Sequence, residues 1–301
     1  MEKETKGIIL ALLAAIVSGI SIPLNKLFIV NLDPSVFTAV RALIIGSVFL
    51  MIALYVSKTN RKPFKKVSWK YLIAIAIIGG SFAFLLYFTG LQLTTASRAA
   101  FLQKTLPLYT AIFAYIFLKE KISRKMSYAL AAMLIGTVII YFTQVTPGAF
   151  WQNPSLGDLL IIAATILWAI EAVIAKKAMS LGESNVVVTF ARMFFGGIIL
   201  FGVVLLFGKF GLLLTLSAHQ WVNITISTIL LFAYVLFWYW SIKYINVTKA
   251  TTLLLVASVI AVVFATVLFP GEPLPPLQIV GSAIILIGAY FVGREKSEKR
   301  K

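Results

Sequence analysis

Ten stretches of about twenty apolar residues constrain this chain more than any motif does. They fall at roughly 7–30, 34–57, 70–92, 97–118, 124–143, 156–180, 185–208, 219–242, 248–269 and 275–293. A hydrocarbon core of about 30 Å takes roughly twenty helical residues to cross. Lipid offers the backbone no water, so only helices or closed barrels span it. These runs are long and lack a two-residue alternation, which disfavours a barrel. Charged residues make up 12% of the chain, about half the share in a soluble domain. The first run is too long for a signal-peptide core and has no small-residue cleavage site behind it, so it reads as a retained helix. The expectation is an all-α integral membrane protein with ten transmembrane helices.

Much of the stretch from Leu93 to Ile122 comes round again from Tyr244 to Leu274. Arg98-Ala99 opens one copy and Lys249-Ala250 the other, and Glu120 and Glu272 follow about twenty apolar residues later. Leu-Ile-Gly closes each next span, at Leu134 to Gly136 and at Leu286 to Gly288. Upstream, Thr38 and Arg41 match Thr189 and Arg192, Gly46 matches Gly197, and Lys26 roughly matches Lys176. The interval is close to half the chain. Residues 1–147 and 148–301 are therefore two repeats of five helices. An odd count turns the second upside down, giving the inverted repeats from which many transporters are built around a midplane site.

Charge sets the expected orientation. With the N-terminus inside, the inner segments collect Lys3, Lys6, Lys58, Arg61, Lys62, Lys65, Lys66, Lys70, Lys119, Lys121, Arg124, Lys125, Lys176, Lys177, Lys243, Lys249 and the basic tail. The outer side holds Lys26, Arg98 and Lys209. Cytoplasmic loops gather Lys and Arg in this way. Both termini are expected in the cytoplasm of a multi-pass protein of the cell membrane, and the net charge of +17 needs no nucleic acid.

On these residues the chain resembles the drug/metabolite transporter superfamily, in its EamA-like ten-helix branch. The two Arg/Lys-Ala starts, Leu118-Lys119-Glu120 with Pro270-Gly271-Glu272, the two Leu-Ile-Gly helices and Pro107 carry the likeness. Ser258 stands where the second repeat would place its proline, so the ninth helix is expected to run straighter than the fourth. The resemblance covers nearly the whole chain. It implies a secondary transporter of small organic solutes, amino acids or related metabolites, in the direction of export. It leaves room for a lipid-linked carrier or flippase of the same fold.

Charges inside membrane spans are costly and mark function by default. Arg41, Lys104, Glu171 and Arg192 are such residues, and Glu171 is the deep carboxylate. Thr165, Trp168, Glu171 and Ala175 share one helical stripe, which could line a cavity or pack a helix. At 1.5 Å per residue, Glu171 and Arg192 lie about 8 and 12 Å from the inner surface, a depth that suits a pair. Arg41 and Lys104 find no acid at their level. They either snorkel outward or bond carbonyl groups, or else present positive potential to an outward-facing cavity suited to an anionic or carboxylate-bearing solute. Asn25 sits on a polar stripe with Ser18 and Ser21 on a helix that Pro23 could kink. Tyr87 and the cluster Phe237 to Trp240 could stack a ring, with Trp240 also suited to an aromatic belt, and His219 reads as interfacial. The candidate substrate-binding set is Glu171, Trp168, Lys104, Arg41, Arg192, Asn25 and Tyr87.

Several functions are excluded or unsupported. The absence of cysteine removes disulfides and thiol chemistry. There is no HExxH, no phosphate-cradling glycine loop and no paired deep carboxylates. An enzyme, a metal site and a cofactor are therefore not expected. The expected partners are the bilayer and a small molecule, with room for a homodimer.

Overall fold

The computed structural model describes residues 2–60, 68–142, 154–268 and 275–295. Among these residues ten helices are long and apolar enough to cross a membrane: α1 (Lys3–Phe28), α2 (Pro34–Val56), α3 (Trp69–Leu93), α4 (Ala96–Leu118), α5 (Arg124–Phe142), α6 (Leu156–Ser180), α7 (Asn185–Leu206), α8 (Ala218–Tyr244), α9 (Val247–Phe264) and α10 (Pro276–Arg294). They match the ten sequence runs to within a few residues. Ten crossings put both termini on one face, here called the terminal face. The expected repeat boundary at 147/148, Glu272 and most of the basic 58–70 segment lie outside the described residues.

Polar residues in the connections set where helices begin. Asp33 accepts backbone N–H groups of Ser35 (2.9 Å) and Val36 (3.2 Å) at the start of α2. Ser155 with Asp158, and Ser217 with Gln220, close reciprocal capping boxes on α6 and α8.

Packing follows the repeat. Helix α1 lies on α8, and its mate α6 lies on α3; α2 packs on α7, α4 on α9, and α5 on α10. Each pairing maps onto itself or another when the repeats are exchanged, as two inverted five-helix repeats require. Small residues set the closest approaches. A Cβ at Gly136 would stand 2.8 Å from the Gly281 carbonyl, and one at Gly197 would stand 2.9 Å from the Leu43 nitrogen. Gly80 and Gly196 meet backbone to backbone between α3 and α7. Such contacts let lipid-embedded helices approach where no hydrophobic effect pulls them together.

Among the described residues three spans contain π-turns: Ala76–Phe82 in α3, Ala114–Leu118 in α4 and Ala191–Phe195 in α7. Pro23, by contrast, sits inside an unbroken α1. Helix α4 breaks at Lys104 and Thr105, where Pro107 lacks the N–H that would continue the ladder. Helix α9 breaks at Leu254 and Leu255, within one residue of the corresponding place. The expectation of a straighter ninth helix is thus wrong. The break follows Thr251 and Thr252, whose hydroxyls bond back to the Val247 (3.0 Å) and Thr248 (2.8 Å) carbonyls. Such back-bonding favours a bend where proline is absent. In α9, Ala257 and Ser258 then bond three residues back, to Leu254 and Leu255 (both 3.0 Å).

Candidate functional site

All seven residues expected at the site line one central cavity of about 100 Å³. Its wall comes from α1, α2, α3, α4, α6, α7, α8 and α9. Helices α5 and α10 supply none of the wall.

One side is a closed polar network. Glu171, 1% exposed, accepts a hydrogen bond from the Tyr239 hydroxyl. Arg192 Nη1 stands 3.8 Å from Glu171 Oε2 and donates to Tyr239 Oη at 3.3 Å. Its Nε donates to the Gly79 carbonyl at 3.4 Å, and Trp168 Nε1 donates to the same oxygen at 3.3 Å. Gly79 lies in the α3 π-turn. That turn loosens the helical ladder, and the missing side chain leaves room for the Glu171 methylenes, which a Cβ there would strike. The Arg192 guanidinium also lies over the rings of Phe84 (5.2 Å) and Tyr239 (5.7 Å). The expected Glu171–Arg192 pair is present, loose in distance and bridged by a phenol.

The other side is open in a chemical sense. Arg41 is 2% exposed and stacked on Phe37 (4.5 Å) and Phe88 (4.9 Å), and its Nε and Nη1 have no hydrogen-bond partner. Tyr87 Oη and Gln103 Oε1 are likewise buried without one. Lys104 sits at the α4 break, 5% exposed, with no carboxylate within 4.0 Å among the described residues. Neither cation snorkels to a surface. Asn25 Oδ1 accepts from the Ser227 hydroxyl. The ring of Trp168 packs on Phe84 (5.5 Å) and Tyr87 (5.1 Å). Of the aromatic cluster, Trp238 reaches the wall, Tyr239 is the partner of Glu171, and Trp240 lies against Phe49 (6.4 Å). His219 is exposed in the first turn of α8. Among the described residues no three His, Cys, Asp or Glu side chains gather to hold a metal ion.

Both ends of the cavity carry mated ties. On the face opposite the termini, Lys26 Nζ donates to the carbonyls of Leu91 (2.6 Å) and Thr94 (2.7 Å) at the end of α3. On the terminal face, Lys176 Nζ donates to Ile242 (2.6 Å) and Ile245 (2.8 Å) at the end of α8. Helix C-termini leave carbonyls unpaired and favour a cation. A second mated set joins helix starts. Arg98 on α4 pairs with Asp158 on α6, and Lys249 on α9 pairs with Glu4 on α1 at 2.9 Å. Glu120 accepts from the backbone N–H groups of Val247 (3.1 Å) and Thr248 (3.3 Å), capping α9.

The uncharacterized transporter YyaM of Bacillus subtilis (strain 168) is 25% identical over 282 residues, covering 91% of this chain and 89% of the relative. An uncharacterized transporter of Methanothermobacter thermautotrophicus is 22% identical over 299 residues, covering 95% and 85%. A solved crystal structure aligns with a TM-score of 0.73 over 95% of both chains at 18% identity, a likeness of fold. The EamA-like transporter family matches the sequence twice, over residues 5–142 and 155–294, the two halves that the repeat divides. The chain therefore belongs to the EamA-like transporter family.

Proposed function

We propose that this protein is a secondary transporter that carries small organic solutes through the central cavity by alternating access. One observation supports the reading most. Buried polar atoms of Arg41, Tyr87 and Gln103 without partners face one space between two inverted repeats. Unsatisfied buried polar groups are costly, so a site that keeps several is suited to a ligand that satisfies them in passing. A cavity of about 100 Å³ favours a compact metabolite over the lipid-linked cargo of a carrier or flippase. The test is counterflow in proteoliposomes, with solutes chosen because they raise the melting temperature of the purified protein, as a bound ligand does. Saturable exchange of a stabilising solute is expected. A solute that stabilises the protein but never moves would overturn the transport reading.

We place both termini in the cytoplasm at the cell membrane, on the imbalance of Lys and Arg between the two faces. A reporter fused after Lys121 is expected to score cytoplasmic. An external score there would reverse the orientation.

A further inference from the structure

Arg41 and Arg192 are mates in the repeat, yet only Arg192 has its partners. Thr38 and Thr189, each three residues earlier, bond back to the Pro34 and Asn185 carbonyls at 2.7 Å, so the two helices agree in register. The match extends to the neighbours. Glu171 lies five residues before Lys176 and Ser21 five before Lys26, on helices unbroken between those points. Tyr239 lies three before Ile242, and Phe88 three before Leu91. Those four anchors are the mated lysine ties and the carbonyls they hold. The trio Glu171, Arg192 and Tyr239 is therefore answered in the first repeat by Ser21, Arg41 and Phe88. The guanidinium is kept there, while the carboxylate and the phenol are gone.

Lost partners normally take the arginine with them, because a buried guanidinium without counter-charge is strongly unfavourable. Here it stays, with Nε and Nη1 unpaired, and the wall of the same cavity gains Lys104 where the second repeat has Leu255. Ser21 is small and lies on the same wall, its hydroxyl turned back to the Val17 carbonyl at 2.6 Å.

We propose that Arg41, with Lys104, forms a subsite for the carboxylate of the transported solute. That carboxylate occupies the place in the first repeat that the Glu171 side chain fills in the second. This rests on the transport reading only for the word transported; the binding site stands by itself. A guanidinium presents parallel N–H donors that match a carboxylate two to two. Tyr87 Oη supplies a further donor, and Gln103 Oε1 accepts from an amino or hydroxyl group on the solute. The class is a small organic carboxylate that also carries a hydrogen-bond donor, its body lying against Phe88, Trp168 and Trp238.

The experiment installs the missing carboxylate. Ser21→Glu and Ser21→Gln have the same shape and differ in charge. Ser21→Glu is expected to melt several degrees above Ser21→Gln, and Arg41→Gln added to both should erase the difference. Equal melting, or a higher value for Ser21→Gln, would overturn the proposal. A second measurement uses the unaltered chain with alanine, phenylalanine and lactate, each beside its primary amide at the same concentration. At least one acid should raise the melting temperature where its amide does not, and Arg41→Gln, folded without ligand, should abolish that rise. Equal shifts from acid and amide, or none from any acid, would also overturn it. Flux of a solute that lacks a carboxylate, with equal melting of the Ser21 pair, would sink the subsite and spare the transport reading. A positive Ser21 result with no flux would do the reverse.

Discussion

Glu171→Gln is expected to lower stability and also to stop solute flux in the molecules that remain folded. The first effect follows from burial. Arg192 would keep its charge with no counter-charge, and breaking a buried pair costs about 3–5 kcal/mol. The lower end applies here, because Arg192 retains the Tyr239 hydroxyl and the Gly79 carbonyl. The second effect follows from position. Glu171, Arg192 and Trp168 form one wall of the cavity, and Trp168 and Arg192 share the Gly79 oxygen, so a loosened Arg192 disturbs the ring surface beside it. Melting curves and proteoliposome flux, the latter normalised to folded protein, separate the two. Full flux per folded molecule would make the pair purely structural and remove Glu171 from the candidate site.

Opposite effects are expected from the two mated lysine ties. Lys26→Gln releases the α3 carbonyls on the face away from the termini, and Lys176→Gln releases the α8 carbonyls on the terminal face. Each lysine makes two charge-assisted bonds, and a hydrogen bond to a charged group contributes about 1.5–3 kcal/mol. Losing them at one end should shift the balance of open forms by about tenfold or more toward that end. The chain has no cysteine, so a single Thr251→Cys on the cavity wall gives an unambiguous readout. Membrane-impermeant thiol reagent added on the terminal face should label it faster with Lys176→Gln and slower with Lys26→Gln. The same direction of change from both substitutions would show that the ties do not govern access.

The site was legible in the sequence to the extent that charge in an apolar helix is conspicuous. Arg41, Lys104, Glu171 and Arg192 stand out because lipid tolerates so few such residues, and counting residues along two helices brought Glu171 and Arg192 to a common depth. Their partners were less visible. Tyr239 reads as one aromatic among four, and nothing in Phe237 to Trp240 tells which ring turns toward a carboxylate. The Gly79 carbonyl is a backbone atom, and its availability comes from a π-turn that no side-chain pattern announces. Lys26 and Lys176 were matched by position, but their target is the last carbonyls of another helix, a group every residue carries. The bend in α9 was hidden because proline is the usual signal, and the break there follows two threonines that bond backward, a pattern that other, unbroken helices of the chain share.

Among the described residues, helices α5 and α10, which face one another across Gly136 and Gly281 and stay clear of the cavity, have 19 residues each, against 26 in α1 and 27 in α8. Upright, 19 residues reach about 28 Å, while 27 reach about 40 Å. The longer helices can lean or stand proud of the hydrocarbon, but the short pair spans a core of about 30 Å with nothing to spare. In a membrane only a few ångströms thicker, the mismatch falls on this pair before it falls on α1 or α8. Bilayer thickness therefore acts on the protein at the seam between its repeats, away from the charged wall of the cavity.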